Sequence, residues 1–172
     1  QILWVNLVTD GILDITLAME GKERDLMKQK PRSPDEPIFN REIFFNIIYV
    51  GLLMMIGTIL VFIIGLNQYN NFKRAQTLAF TTIAMFQVFN SLNCRSRTLS
   101  VFELGFFSNR YLFGAIVVSV TFQILAVHLI FLNWLLGTIP ISLLDWIFIT
   151  LISSSVFIGD ELRKFFRKKI MK

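Results

Sequence analysis

The chain has 172 residues, of which 54% are hydrophobic and 18 are Phe, and its formal net charge is +5. A soluble domain of this size cannot bury so much apolar surface, so the composition excludes an ordinary soluble fold and favours a membrane protein. With one Cys and one His, the chain cannot form an internal disulfide or a metal cluster built from those two residue types.

Charge-free apolar runs predict five membrane-spanning helices, because a hydrocarbon core of about 30 Å requires roughly 20 apolar residues. The spans must be helical, since lipid offers backbone polar groups no hydrogen-bond partner. Gly137 and Pro140 predict a short turn between the last two spans. We therefore expect an all-α fold, a polytopic membrane helix bundle, with spans at residues 2–19, 43–66, 75–93, 111–133 and 142–163.

The first predicted span contains three polar residues, Asn6, Thr9 and Asp10, within the stretch Trp4–Gly11. An ionisable side chain inside a membrane is costly and by default marks a functional site. Amide, hydroxyl and carboxylate oxygens are the ligands that hard cations prefer. The pattern therefore predicts a cation-binding site, and the alternative is a set of hydrogen bonds between helices.

Residues 20–42 contain alternating charges and three prolines, which predict an extended hydrophilic loop after the first span. This loop, the segment 93–110 and the segment 163–172 together contain every Lys and Arg except Lys73 and Arg74. Cytoplasmic segments are enriched in Lys and Arg, so all three, including the carboxy-terminus, are predicted to be cytoplasmic. Topology thereby explains the positive charge, and no nucleic-acid partner is implied.

The last span is followed by a basic tail at residues 164–172, which we expect to lie on anionic lipid of the inner leaflet. Asp160 and Glu161 lie one helical turn from Arg163 and Lys164, a spacing that predicts internal salt bridges. His128 lies in an apolar run, where we expect a hydrogen bond to a neighbouring helix; a proton relay is the alternative.

Four motifs resemble, in this order, the carboxy-terminal membrane region of the P-type cation-transporting ATPases, in the branch of calcium and sodium-potassium pumps. They are Gln1–Gly11, Lys30–Pro37, Asn90–Ser96 and Gly159–Phe165. The resemblance covers essentially the whole chain and implies that its five helices correspond to helices six to ten of the family. It also implies that the partners of this chain are the upstream helices and cytoplasmic domains of the same pump. Those domains would bind ATP and magnesium, so this chain alone would hold no catalytic residue.

The start of the chain agrees with this expectation, because Gln1 is not a start methionine and almost no residues precede the first span. We therefore expect the chain to begin within a larger protein.

The resemblance places the family's sixth-helix cation ligands on Asn6, Thr9 and Asp10. At about 100° per residue these positions share one helical face, and Gly11 is expected to allow local unwinding. On the eighth helix, Gln87 stands where calcium pumps with two sites carry Glu. A weaker ligand candidate is Asn90, which stands where sodium-potassium pumps carry an acidic residue and for which helix packing is the alternative role.

Two departures from the family pattern leave the transported ion open. Ile12-Leu13-Asp14 replaces the usual Leu-Pro-Ala, so no proline breaks this helix and Asp14 adds a carboxylate one turn beyond Asp10. Asp14 would be a further ligand, a proton carrier or the partner of a basic residue on a missing helix. Gln87 lacks the charge of Glu, which favours a single calcium site or a monovalent ion.

We therefore expect the membrane domain of an ATP-driven pump that transports calcium. A sodium or potassium pump is the nearest alternative. A non-catalytic membrane scaffold or accessory subunit is the alternative from a different class.

Overall fold

The computed structural model of the chain describes residues 1–21, 41–96 and 98–170. Every regular element in this part of the chain is a helix, which confirms the all-α prediction. Most of the predicted loop at 20–42, including the motif Lys30–Pro37, lies outside the described residues. The helices are α1 (Ile2–Trp4), a π-helix (Val5–Asp10), α2 (Gly11–Leu17), α3 (Arg41–Tyr69), α4 (Phe72–Asn93), α5 (Val101–Leu104), α6 (Arg110–His128), α7 (Ile130–Leu136) and α8 (Leu143–Ile170).

Three stretches of helix are long and apolar enough to cross a membrane: Ile43–Tyr69, Arg110–His128 and Leu143–Lys169. They support an integral membrane protein, while the count of five spans stays a prediction. The other two predicted spans correspond to α4 and to the run of α1, the π-helix and α2, which we call the first helical segment (residues 2–17).

Helix α4 lies in the middle of the bundle, where it packs against α3, α6, α8 and the first helical segment. It carries several buried hydroxyl side chains, including those of Thr77, Thr81 and Thr82. Thr82 Oγ1 donates to the carbonyl of Leu78 at 2.7 Å, and Ser153 Oγ of α8 donates to the carbonyl of Thr82 at 3.4 Å. A helix enclosed by other helices meets little lipid, so α4 can carry polar residues whose partners come from the protein.

The fourth predicted span, at 111–133, is divided in the structure. Helix α6 ends at His128, and Leu129 has an extended backbone (φ −82°, ψ 122°) before α7 begins. The end of a helix leaves carbonyl groups without helical partners. Thr138 Oγ1 satisfies one of them by donating to the carbonyl of Ala126 at 2.6 Å. The side chain of Thr138, in the turn after α7, therefore stabilises the break at Leu129. The apolar run 111–133 does not predict this break.

The turn after α7 and the environment of His128 agree with the sequence. Gly137 ends α7 in the left-handed conformation (φ 67°), which suits a residue without Cβ. Nε1 of Trp146, in α8, donates to Nε2 of His128 at 3.2 Å. The predicted hydrogen bond between His128 and a neighbouring helix is thereby confirmed.

Helix α8 continues through most of the predicted basic tail and ends at Ile170. Its 28 residues rise about 42 Å, which exceeds the thickness of a hydrocarbon core. The predicted salt bridges are confirmed: Asp160 contacts Arg163 at 2.6 Å and Lys164 at 3.0 Å, and Lys164 lies 3.6 Å from Glu161. Lys164 Nζ also lies 3.3 Å from the carbonyl of Asn93, so this charged group ties α8 to the end of α4.

Helix α3 approaches its neighbours closely at glycine positions. A Cβ at Gly57 would lie 2.6 Å from Cζ of Phe86, whose ring in α4 is fully buried. A Cβ at Gly159 of α8 would lie 2.5 Å from the hydroxyl of Tyr49 in α3. Small residues at such crossings let helix backbones pack closely in a membrane, so Gly57 and Gly159 fix how near α3 lies to α4 and α8.

We predict that Gly57→Ala destabilises the bundle by about 1–3 kcal/mol, because the buried ring of Phe86 must move to admit the methyl group. The measurement is the midpoint of thermal unfolding in detergent micelles. The matched control is Gly51→Ala in the same helix, where an added Cβ meets no atom within 4 Å. The control is expected to be neutral or slightly stabilising, since Ala forms helix better than Gly. Equal shifts in the two variants would contradict the close contact at Gly57.

Candidate cation-binding site

The three polar residues of the first predicted span lie in a π-helix, Val5–Asp10. The N–H of Gly11 donates to the carbonyl of Asn6, five residues back, instead of to the residue four back as in an α-helix. Gly11 itself is helical (φ −58°, ψ −42°), so the backbone here is widened and does not unwind. A Cβ at Gly11 would make an ordinary van der Waals contact, at 3.4 Å, with the carbonyl oxygen of Asn6. Single π-helical turns within helices occur frequently at functional sites.

Asp10 faces α4 from the end of this wide turn. Its Oδ2 lies 3.4 Å from Nε2 of Gln87, a long contact for a hydrogen bond. Its Oδ1 is buried and has no hydrogen-bond partner among the described residues. The carboxylate of Asp10 is therefore held in place mainly by its helix and is free to accept a further partner.

A cleft of about 250 Å³ separates the first helical segment from α4. Four of the six predicted ligand residues line it: Asp10, Asp14, Gln87 and Asn90. The remaining lining residues are Leu13, Leu17, Ser91 and Cys94. The structure thus brings together residues that are about 80 positions apart in the sequence, as expected if two helices share one site.

Asn6 and Thr9 lie outside the set of residues that line the cleft. Asn6 is exposed in the described part of the chain. Thr9 is only 1% exposed, and its Oγ1 has no hydrogen-bond partner among the described residues. A buried hydroxyl without a partner is costly, so the hydroxyl of Thr9 remains available as a donor or acceptor to a group outside the described residues.

The cleft offers hard oxygen ligands: two carboxylates, two side-chain amides and one hydroxyl. Within the described residues, no group of three or more His, Cys, Asp or Glu side chains is placed to hold a metal ion. As a candidate cation site the cleft is therefore open and incomplete, and ligands from outside the described residues would be needed to enclose a cation. An ionised Asp10 would attract a cation to this cleft, because a carboxylate with few partners is costly inside a membrane.

Sequence reasoning missed a second polar cluster, which lies where α2 ends and which we call the Glu20–Arg95–Asn109 cluster. Arg95 donates two hydrogen bonds to the carboxylate of Glu20, from Nε to Oε2 at 3.0 Å and from Nη2 to Oε1 at 2.8 Å. Asn109 Nδ2 donates to Oε2 of Glu20 at 2.8 Å and to the carbonyl of Thr16 at 3.1 Å. The side chain of Arg95 is fully buried. The one indication in the sequence is that Arg95 immediately follows the predicted helix end at Cys94. Its position does not indicate that its partner is Glu20.

The charged state of Glu20 is stabilised by this cluster. Burial raises the pKa of the carboxyl group, but hydrogen bonds from Arg95 and Asn109 and the positive charge of Arg95 outweigh burial. The net result is a pKa below the ordinary value of 4.5. Glu20 therefore remains ionised and paired with Arg95 at neutral pH.

Comparisons with a family model and with individual proteins all match this chain to ATPases. The family model described as "Cation transporting ATPase, C-terminus" matches residues 1–166. The chain is 36% identical to Calcium-transporting ATPase 1 of Yarrowia lipolytica over 168 residues, which are 98% of this chain and 18% of that protein. It is 39% identical to the Calcium-transporting ATPase of Bacillus subtilis over 150 residues, 87% of this chain and 17% of that protein. It is 36% identical to Calcium-transporting ATPase type 2C member 2 of Rattus norvegicus over 169 residues, 98% of this chain and 18% of that protein. The chain therefore spans less than a fifth of the length of these relatives.

We predict that the stability contributed by Glu20 depends on pH. Because the folded pKa of Glu20 lies below 4.5, its contribution is present above that value and is lost as the pH falls through the folded pKa. Glu20→Gln should reduce the free energy of unfolding by about 1.5–3 kcal/mol at neutral pH, the range for a hydrogen bond to a charged group. The difference from wild type should shrink as the medium is acidified. The measurement is thermal unfolding in micelles over a series of pH values.

The control for this experiment is Glu103→Gln. Glu103 pairs with Lys168 at the surface, where an ion pair contributes little stability. A difference between Glu20→Gln and wild type that is the same at neutral and at acidic pH would contradict the charged pair of Glu20 and Arg95.

Proposed function

Because this chain belongs to the cation-transporting ATPases and matches the C-terminal region of that family, we propose that it is part of the membrane domain of an ATP-driven calcium pump. The observation that carries the proposal is the carboxylate of Asp10, which faces Gln87 across an oxygen-lined cleft and has one oxygen that meets no hydrogen-bond partner in the described part of the chain. ATP and magnesium bind, in this proposal, to domains upstream of the chain.

Calcium is favoured over other cations by two arguments. Calcium takes six to eight oxygen ligands in a flexible geometry, and the cleft offers carboxylate, amide and hydroxyl oxygens. The relatives named above are calcium-transporting ATPases, from yeast, bacterium and rat. Since Gln87 is neutral, we propose one calcium ion at this position, completed by ligands from helices upstream of Gln1.

In the proposed transport cycle Asp10 alternates between two states. In the inward state, ligands from the upstream helices join Asp10 and Gln87 and bind the cation tightly. In the outward state these ligands separate, and the cation is exchanged for water. The long contact of 3.4 Å between Asp10 and Gln87 suits this role, because a weak direct hydrogen bond does not compete strongly with a cation.

Asp14 lines the same cleft as Asp10, one turn further along the first helical segment. It is exposed in the described part of the chain, so a partner from an upstream helix has access to it. Its three roles, as ligand, proton carrier or partner of a basic residue, predict different results for Asp14→Asn. Loss of a ligand raises the calcium concentration needed for activity. Loss of a proton carrier changes the pH dependence, and loss of an ion pair lowers stability.

Sodium or potassium transport is the second candidate, and it is favoured by the neutral side chains at Gln87 and Asn90. A site with fewer carboxylates binds a doubly charged ion less tightly, while a monovalent ion needs less compensating charge. The two candidates differ in which cation stimulates ATP hydrolysis.

We further propose that the carboxy-terminal end of α8 lies at the cytoplasmic membrane surface. Arg167, Lys168 and Lys169 occupy its last turns. Basic residues next to a membrane span are attracted to anionic lipid by about 1 kcal/mol each. This arrangement orients α8 and places the Glu20–Arg95–Asn109 cluster on the cytoplasmic side.

The proposal predicts that calcium stimulates ATP hydrolysis by the complete protein in lipid vesicles and that Asp10→Asn abolishes the stimulation. Asn keeps the shape of Asp but removes the charge that offsets the dehydration of the cation. Calcium, sodium, potassium and manganese are titrated separately. Stimulation by sodium or potassium alone would favour the second candidate. Absence of any cation dependence in wild type would contradict a pump and favour a scaffold or accessory subunit.

A second prediction concerns Gln87. Gln87→Glu adds a carboxylate to the cleft and is expected to lower the calcium concentration that gives half-maximal activity, since affinity follows the number of charged ligands. Gln87→Ala is expected to raise that concentration. The matched control is Gln76→Ala, on the exposed surface of the same helix, which should leave it unchanged. Equal effects of the two Ala variants would contradict a role of Gln87 as ligand.

A further inference from the structure

We propose that the Glu20–Arg95–Asn109 cluster positions the cation site, by holding the first helical segment at a fixed height and rotation against α4. This inference rests on the proposed cation transport and adds positioning residues to it. Arg95 and Asn109 are not ligands, since the cleft is lined by other residues. They act through the helix that carries Asp10.

The first step of the argument is that Asp10 does not fix its own position. One of its oxygens has no partner among the described residues, and the other makes only the 3.4 Å contact with Gln87. The position of the carboxylate is therefore set by the backbone of the first helical segment. Whatever holds that segment on α4 also sets the distance between Asp10 and Gln87.

The second step is that apolar packing alone holds the segment loosely. Leu13 packs in a cluster with Val88 and Leu92 of α4, and Val5 packs with Phe80 and Ala84. Such contacts are not directional, and inside a membrane they gain little over contacts with lipid. Helices packed only in this way can slide or rotate by small steps.

The third step is that directional contacts concentrate where α2 ends. Near the start of the segment, Gln1 Nε2 donates to the carbonyl of Leu136 at 2.8 Å. Just beyond the other end, Glu20 receives two hydrogen bonds from Arg95 and one from Asn109, and Asn109 also binds the carbonyl of Thr16 within α2. The planar guanidinium group matches the carboxylate in distance and in angle, so it restrains sliding and rotation together.

The cluster is itself anchored to the rest of the bundle. Arg95 Nη1 donates to the carbonyl of Gly105 at 3.1 Å, and Arg95 Nη2 donates to Ser108. Asn109 caps α6, because its Oδ1 accepts from the N–H of Leu112 at 2.9 Å. The cluster thus joins the first helical segment to the end of α4 and the beginning of α6. Glu20 lies three residues beyond Leu17, where α2 ends, and Asn109 also binds the carbonyl of Thr16 within α2. Thr16 lies about 9 Å along the helix from Asp10, so a rigid helix transmits this restraint to the site.

The test measures ATP hydrolysis by the complete protein in phospholipid vesicles at increasing calcium concentrations. If sodium or potassium is the activating cation, that cation is titrated instead. Arg95→Lys keeps the positive charge but cannot form the paired contact with Glu20. We expect the half-saturating cation concentration to rise about tenfold, as is usual when a residue that orients a metal ligand is lost, while the maximal rate changes little. The matched control is Arg110→Lys, at an exposed position near the start of α6, which should change neither quantity.

A double-mutant cycle separates positioning from plain stability. If the cluster acts by setting the distance between Asp10 and Gln87, the effect of Arg95→Lys becomes smaller once Gln87→Ala has removed one of the two groups. Should Arg95→Lys not fold, Asn109→Ser provides the same readout. Ser still caps α6 but cannot reach both Glu20 and Thr16 as Asn109 does. We expect Asn109→Ser to raise the half-saturating cation concentration by less than Arg95→Lys does.

Two results would overturn the inference. In the first, Arg95→Lys and Asn109→Ser lower the thermal stability but keep the half-saturating cation concentration of the wild type. The cluster would then only stabilise the fold, while the proposal of cation transport would still hold. A wild-type protein without cation-dependent hydrolysis would remove the proposed transport, and the positioning role with it.

Discussion

The packing of four elements around α4 is the constraint on which the rest of the structure depends. Because α3, α6, α8 and the first helical segment surround this helix, Thr81 accepts a hydrogen bond from Gln123 of α6, and Gln87 reaches Asp10. A helix with the same residues in contact with lipid would expose these groups to a medium without partners. The enclosure of α4 is therefore what permits a polar cleft inside an otherwise apolar bundle.

Composition and apolar runs predict the helical fold well, because the need to satisfy backbone groups in lipid leaves the chain few choices. The sequence also identifies Asp10 and Gln87 as candidates from residue type and family resemblance. It does not predict the break at Leu129, since the surrounding residues are apolar on both sides and the stabilising hydroxyl comes from Thr138. Nor does it predict the pair of Glu20 and Arg95, because 75 positions separate the two residues and nothing in the local sequence of either specifies the other.

The polar groups around Asp10 and the Glu20–Arg95–Asn109 cluster differ in how completely their hydrogen-bonding groups are paired. Around Glu20 the acceptors and donors match, and Arg95 is fully buried with a partner for each of its nitrogens. Around Asp10 and Thr9, buried oxygens remain without partners among the described residues. A satisfied polar network is rigid, whereas an unsatisfied one is ready to take up another group. The cluster thus fixes the position of the first helical segment where α2 ends, while Thr9 and Asp10 in the middle of the segment can bind a further group. This arrangement suits a ligand that must bind and leave while the helix bundle stays intact.

The π-helix at Val5–Asp10 also limits how this region can diverge. A π-turn is equivalent to an α-helix with one inserted residue, so deletion of a single residue here would restore a regular α-helix of almost unchanged hydropathy. Because the wide turn takes up that extra residue, the helix on its two sides would keep its relative orientation. Trp4 would stay beside Phe122 of α6, and Leu13 would stay in its cluster with Val88 and Leu92. A deletion within α2, which is a regular α-helix, would instead rotate the residues on one side of it by about 100° relative to those on the other side. Descendants of this sequence should therefore change in length within Val5–Asp10 and keep the length of α2.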